Sequence, residues 1–188
     1  MYRMAAEAVR ELETETGMHI PIGGPGSSWW FQNFDGNTVA VPERSLVYQL
    51  IWYCYRYRLP LDFISWHAYS SDPQAEMAQT MYRKTSVGLI RDWLRYFRMD
   101  TRIPLIVEEW NYDCGSNNSP ERGERSHVAA SFIPARLAFM YKAGIDQAVY
   151  YSLEDFQAPQ EGVVRNVGLF KFSSEPGKPA VPKAGYAV

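Results

Sequence analysis

The sequence has little with which to build a metal centre or a covalent scaffold. Two cysteines, Cys54 and Cys114, stand in 188 residues. They are too few for a disulfide framework or a thiolate cluster, and they leave the redox compartment open. The three histidines, His19, His67 and His127, lie far apart, with no H-x-x-x-H or C-x-x-C pair beside them. No zinc site and no other cofactor is therefore expected. There is no G-x-S-x-G elbow for a serine hydrolase. The one glycine-rich stretch, Gly23-Gly24-Pro25-Gly26, lacks the Lys-Ser/Thr ending of a phosphate loop and the G-x-G-x-x-G order. No apolar run approaches the ~20 residues that span a bilayer. A net charge of -2 gives no basic footprint, so neither nucleic acid nor a membrane surface is an expected partner. The first residues, MYRMAAEAVRELETETG, are acidic and amphipathic, without the basic and apolar regions of a signal peptide, and localisation stays open.

What the chain does have is apolar and aromatic mass: 46% hydrophobic residues, 6 Trp and 13 Tyr. That suffices for one sizeable core, and no repeat, low-complexity tract or shift in composition marks a second domain. Rings in such number suit a core, and they also suit a site where flat sugar faces stack. Apolar periodicity predicts helices over 2–16, 43–58, 74–98 and 126–142, with Gly17, Pro60 and Gly144 as stops and Met77 and Met81 on the inward side of the third. Strands are predicted at 20–23, 61–69, 103–110 and 145–153. The second is apolar on both faces, as a buried parallel strand is. Strand and helix alternate, which implies right-handed crossovers and a parallel sheet. Four strands roughly 40 residues apart fit half of a (β/α)8 barrel, whose whole takes about 250 residues. The fold class is thus α/β, a partial barrel, with Phe63, Val107 and Val149 expected on its inner face.

Chemistry gathers where these strands end. Pro104-Leu105-Ile106-Val107-Glu108-Glu109-Trp110-Asn111 closes an apolar strand with two carboxylates. Burying a charge costs several kcal/mol unless it is paired or employed, and the carboxyl ends of barrel strands line active sites. A glutamate there suits a nucleophile or an acid/base; equally, both could leave the core in surface ion pairs. Ser65, His67 and Tyr69 share one strand face by alternation. A His and a Tyr there can donate to a carboxylate or a sugar hydroxyl, although a lone His is commonly a satisfied core residue. Tyr150-Tyr151-Ser152-Leu153-Glu154-Asp155-Phe156 again ends a strand with aromatics and acids. Trp29 and Trp30 suit sugar platforms or burial under the rim.

Taken in order, these stretches resemble the clan A (β/α)8 glycoside hydrolases, most closely family 39, the β-xylosidases and α-L-iduronidases. Ile20-Pro21-Ile22-Gly23-Gly24-Pro25 is similar to that family's fifth strand. Leu61 to Tyr69 looks like its sixth, of the form D-F-I-S-x-H-x-Y. Ile106-Val107-Glu108-Glu109-Trp110-Asn111 looks like its seventh, and Tyr150 to Asp155 like its eighth. Gly168-Leu169-Phe170 and Pro179-Ala180-Val181-Pro182-Lys183-Ala184 resemble the family's closing segment. The resemblance implies a carbohydrate substrate of the β-xyloside or uronic-acid type and a retaining mechanism. It makes Glu109, and not Glu108, the nucleophile. His67, Tyr69, Trp110, Asn111, Tyr151, Asp155 and Trp29 become candidate substrate contacts.

One departure matters. The family's acid/base glutamate sits in an Asn-Glu pair on strand four, and this chain contains no such pair. The chain is therefore expected to be truncated at both ends and to carry the nucleophile alone. If another acid serves, Glu154 and Asp155 are the candidates. Open barrel edges make self-association an expected property. The rival reading is a non-catalytic sugar-binding or structural half-barrel.

Overall fold

The structure, a computed structural model, describes residues 1–38, 40–78, 83–113, 119–158, 163–172, 178 and 180–186. Helix α1 (Tyr2–Thr16) ends on Gly17, whose left-handed φ of 69° lets its N–H return to the Glu13 carbonyl. Strand β1 (Gly23–Ser27) leads to α2 (Leu46–Tyr57), started by the Ser45 side chain accepting from the Tyr48 N–H. Strand β2 (Phe63–His67) is followed by α3 (Ser86–Tyr96), and β3 (Leu105–Trp110) by α4 (Ser126–Ala143). Strand β4 (Gln147–Tyr150) completes a four-stranded sheet of order β1-β2-β3-β4, with every pairing parallel. Two small antiparallel ribbons follow, β5 (Phe156–Ala158) with β6 (Val163–Arg165), and β7 (Phe170–Lys171) with β8 (Val181–Pro182).

The first strand lies a few residues later than the predicted 20–23, inside the glycine-rich stretch read as a loop. Contact explains this. A Cβ on Gly23 would lie 2.2 Å from the Phe63 carbonyl oxygen, so only glycine lets the backbone approach β2 this closely. The predicted helix over 74–98 is shorter than expected. Thr85 caps α3 by accepting from the Gly88 N–H, and the segment before it turns around Arg136. That guanidinium is fully buried, donates to the carbonyls of Ala68, Pro73 and Ala75, and pairs with Glu76 at 2.8 Å. Five donors in a planar fork suit such a hub. Met81 and Cys114 lie outside the described residues.

The sheet buries one face against the helices. Ile64, Trp66, Leu105, Val107 and Trp110 share a core with Val47, Leu50, Ile51, Ile90, Trp93 and Leu94. Val107 is thus on the helix side and fully buried, not on the inner face where it was expected. The two expectations are reconciled by a β-bulge. Trp66 is level with Val107 but His67 is level with Glu109, so Glu108 is one residue extra. A bulge resets the alternation, and Glu109 stands on the face opposite Val107. A second register shift in β1, between Pro25 and Ser27, makes Gly26 extra there. Val149, expected on the inner face, is exposed.

Candidate active site

The carboxyl ends of the four strands converge on a cleft of about 380 Å³. Ligands of open parallel α/β sheets bind at that edge. Each strand delivers something. Ser28 and Trp29 follow β1, His67 ends β2 with Tyr69 just beyond, Glu109 comes from β3, and Tyr151 follows β4. Arg122, Phe156, Arg165 and Val167 complete the lining.

Glu109 is the one carboxylate among the described lining residues. The Tyr69 hydroxyl donates to its Oε1. Burial first, then this bond to Glu109, raises the pKa of Tyr69, so the phenol stays a donor over the working range of pH. Tyr151 is raised as well, by burial and then by the charge on Glu109. The His67 Nε2 lies 3.6 Å from Glu109 Oε2 and also 3.6 Å from Glu108 Oε1. One carboxylate thus meets a fixed phenolic donor and an imidazole while one side stays open to the cleft. A nucleophile requires such an arrangement.

Trp29, His67, Tyr69 and Tyr151 line the cleft with Glu109; Trp110, Asn111 and Asp155 do not. Trp110 is buried against the Tyr150 ring, with centroids 5.0 Å apart. Asn111 is fully buried. Its amide donates to the Tyr151 and Val167 carbonyls at 2.5 and 2.6 Å, and its oxygen accepts from the Tyr112 N–H and the Tyr150 hydroxyl. It clamps the end of β3 to the segments that carry Tyr151 and Val167. Asp155 accepts from the Gly168 N–H at 2.8 Å and from the buried Lys183 ammonium at 2.7 Å. It ties the closing segment down behind the cleft. Burial lowers the pKa of Lys183, and Asp155 opposes that shift. Glu154 is exposed, with its backbone bridged to Phe170. Trp30 is in the core, 5.9 Å from the Trp93 ring, so the two tryptophans of the rim divide.

Sequence reasoning passed over Arg122 and Arg165, and took in Phe156 only as the end of the Tyr150–Phe156 stretch. The last two sit on the β5–β6 ribbon, within a stretch read as loop, and Arg122 within another polar loop; neither stretch has a periodicity to read. Among the described residues no group of three metal-ligating side chains occurs. No described helix is long and apolar enough to cross a membrane.

The carboxyl edge of this parallel α/β sheet thus holds a carboxylate, a phenol and an imidazole together. No protein-family model matches the chain, and no curated protein matches it in sequence. Solved structures do match it in fold. A glucosidase from Croceicoccus marinus is 17% identical with a TM-score of 0.63, over 90% of this chain and 32% of its own. A monomeric β-xylosidase from Caulobacter crescentus CB15 is 16% identical with a TM-score of 0.63, over 98% of this chain and 35% of its own. A GH39 enzyme from Xanthomonas axonopodis pv. citri is 16% identical with a TM-score of 0.60, over 90% and 32%. The chain therefore spans about a third of the length of these structures. The likeness in fold agrees with the family 39 resemblance carried by the strand motifs.

Proposed function

We propose that these residues form strands five to eight, with their helices, of the (β/α)8 catalytic barrel of a retaining glycoside hydrolase acting on β-xylosides or uronic-acid glycosides. Glu109 is its nucleophile. The observation that carries this reading is the Glu109 carboxylate, held by the Tyr69 hydroxyl beside His67 at the cleft. Glu109 attacks the anomeric carbon, the glycosidic C–O bond breaks, and a glycosyl ester forms on the carboxylate. The departing oxygen takes a proton from a general acid, and water later releases the sugar. Tyr69 and His67 orient the attacking oxygen; Trp29 and Tyr151 offer faces to the sugar ring.

Retention requires a second carboxyl group about 5–5.5 Å away, on the far side of the scissile bond. Glu108 lies beside Glu109 on the same strand, Asp155 is committed to Lys183, and Glu154 does not line the cleft. Among the described residues the nucleophile of the reaction thus stands without its acid. A dinitrophenyl β-xyloside, whose leaving group needs no proton, tests this against xylobiose, which does need one. Slow, Glu109-dependent release of dinitrophenolate with no cleavage of xylobiose is expected. Release unchanged in Glu109→Gln would overturn the assignment. Turnover of xylobiose lost in that variant would show that another acid serves.

A further inference from the structure

Two of the residues that line the cleft, Phe156 and Arg165, are paired across the end rung of the β5–β6 ribbon. Each strand of that ribbon has three residues, and an isolated two-stranded hairpin is marginally stable in water. The base of the ribbon therefore needs a hold from outside. Asp155 precedes β5 and Asn166 follows β6, and the Lys183 ammonium donates to both feet. It reaches the Asp155 Oδ1 at 2.7 Å and the Asn166 carbonyl at 2.8 Å. The same Asp155 oxygen accepts from the Gly168 N–H at 2.8 Å. A Cβ on Gly168 would lie 2.2 Å from the Asp155 N, so only glycine lets these two stretches close on each other.

Lys183 is itself fixed to the body of the molecule. Its N–H donates to the Leu169 carbonyl, and the Gly185 N–H donates to the Ser126 hydroxyl at the start of α4. The Lys183 side chain is 4% exposed and that of Asp155 8%, so water competes little for the pair. A buried charge deprived of its partner is costly, and the two groups stay together. Val167 follows Asn166 directly and also lines the cleft. The Asn166 amide donates to the Ser119 carbonyl at 2.8 Å, which brings the foot of β6 against the segment that carries Arg122. One buried ammonium thus fixes the base from which Phe156, Arg165 and Val167 come to the cleft.

We propose that Lys183 is a positioning residue for substrate binding: it clasps the base of the β5–β6 ribbon and so holds Phe156, Arg165 and Val167 as one wall of the sugar site. Lys183 does not line the cleft and acts only through the residues it holds. The proposal rests on the reading of the Glu109 cleft as the site of the sugar. A wall set in advance spares the sugar the cost of ordering it. Without the clasp, affinity falls by the fraction of molecules in which the wall stands in place. Glu109, His67 and Tyr69 belong to the ends of β2 and β3, so the bond-forming step keeps its geometry.

Saturation kinetics of covalent labelling test it, because they separate binding from bond formation. The 188-residue chain is treated with rising concentrations of 2-deoxy-2-fluoro-β-xylosyl fluoride, and intact mass gives the rate at each. Glu109 displaces fluoride from the anomeric carbon: the C–F bond breaks with its electron pair, a C–O ester bond forms, and no proton is required. Lys183→Met leaves the Asp155 charge buried without its partner. The double variant Lys183→Met with Asp155→Asn leaves no such charge and keeps an acceptor for the Gly168 N–H, so it is measured beside the single one. Cooperative urea unfolding shows which variants are folded. In the folded variants the half-saturating concentration should rise by a factor on the order of ten, the scale of one charge-assisted hydrogen bond, while the limiting rate stays within about two-fold of the parent's. An unchanged half-saturating concentration in the folded double variant overturns the proposal and leaves the nucleophile standing. A limiting rate that falls at unchanged half-saturation overturns it too, and moves the effect of Lys183 to the reacting carboxylate. A double variant that does not fold makes the pair a requirement of the fold and equally overturns the proposal. No labelling of the parent chain removes Glu109 as nucleophile, and the proposal falls with it.

Discussion

The Tyr69 hydroxyl donates to the Glu109 carboxylate across forty residues of sequence, joining the ends of two neighbouring parallel strands. Burial and Glu109 itself keep that phenol protonated. The bond holds one carboxylate oxygen in place and leaves the other facing His67.

Tyr69→Phe should therefore slow the reaction of Glu109 with an activated glycoside while leaving the fold intact. A hydrogen bond to a charged group contributes about 1.5–3 kcal/mol, which is about ten- to a hundred-fold in rate. Pre-steady-state release of dinitrophenolate measures this. An unchanged rate would mean that Tyr69 does not orient the reacting oxygen.

Asn111→Ala should act on stability instead. The residue is fully buried and makes four hydrogen bonds, two of which join the end of β3 to Tyr151 and Val167. Its loss strands two carbonyls and an N–H, at a cost on the order of 3 kcal/mol. Urea unfolding measures it. A change below about 1 kcal/mol, the range of ordinary surface positions, would contradict the clamp.

The Glu76–Arg136 pair predicts a dependence on pH. Burial raises the pKa of Glu76 above its ordinary 4.5, and the nearby Arg136 only partly opposes this. The folded state therefore holds a proton that the unfolded state has already released. The stability from Glu76 is full below its ordinary value and is lost as pH rises through the folded one. Exposed acids such as Asp92 and Asp100 are lowered by Lys84 and Arg102 and have the opposite slope, so the comparison must be with a variant. Glu76→Gln should gain on the parent chain as pH rises above the usual carboxylate range. A variant that instead loses ground with rising pH would show that Arg136 outweighs burial.

Self-association of the 188-residue polypeptide is also expected. Among the described residues β1 and β4 are each paired on one side only, and Val149 is 55% exposed on β4. Unpaired backbone groups on an edge strand invite another chain. At about 25 cal/mol per Å², a few hundred Å² of wet apolar surface costs several kcal/mol. That rivals a domain's net stability of about 5–15 kcal/mol. Light scattering after size exclusion should report dimers or larger species at micromolar concentration. A cooperatively melting monomer would contradict this.

Much of this was legible in the sequence. Parallel strands alternating with helices followed from apolar runs and stops, and the ends of the strands pointed to Glu108, Glu109, His67 and Tyr69, the family resemblance choosing Glu109 of the two acids. The bulge was not legible. Alternation alone puts Val107 and Glu109 on one face, and only the register against Trp66 and His67 reveals the extra residue between them. The same limit applies to Gly23, which is strand because Phe63 lies against it and not because glycine favours strands. Asn111 and Asp155 became candidate sugar contacts through the family resemblance of the strand ends that carry them. Their partners, Val167 and Lys183, are 56 and 28 residues away, a distance that no local pattern spans.

The account stands or falls on Glu109, and covalent trapping tests it most directly. The 188-residue chain is incubated with 2-deoxy-2-fluoro-β-xylosyl fluoride, digested, and its peptides sequenced by mass spectrometry. One fluorosugar ester is expected, on Glu109, absent from Glu109→Gln and still formed by Glu154→Gln. An ester on Glu108 or any other residue, or equal labelling of the Glu109→Gln chain, would contradict the account.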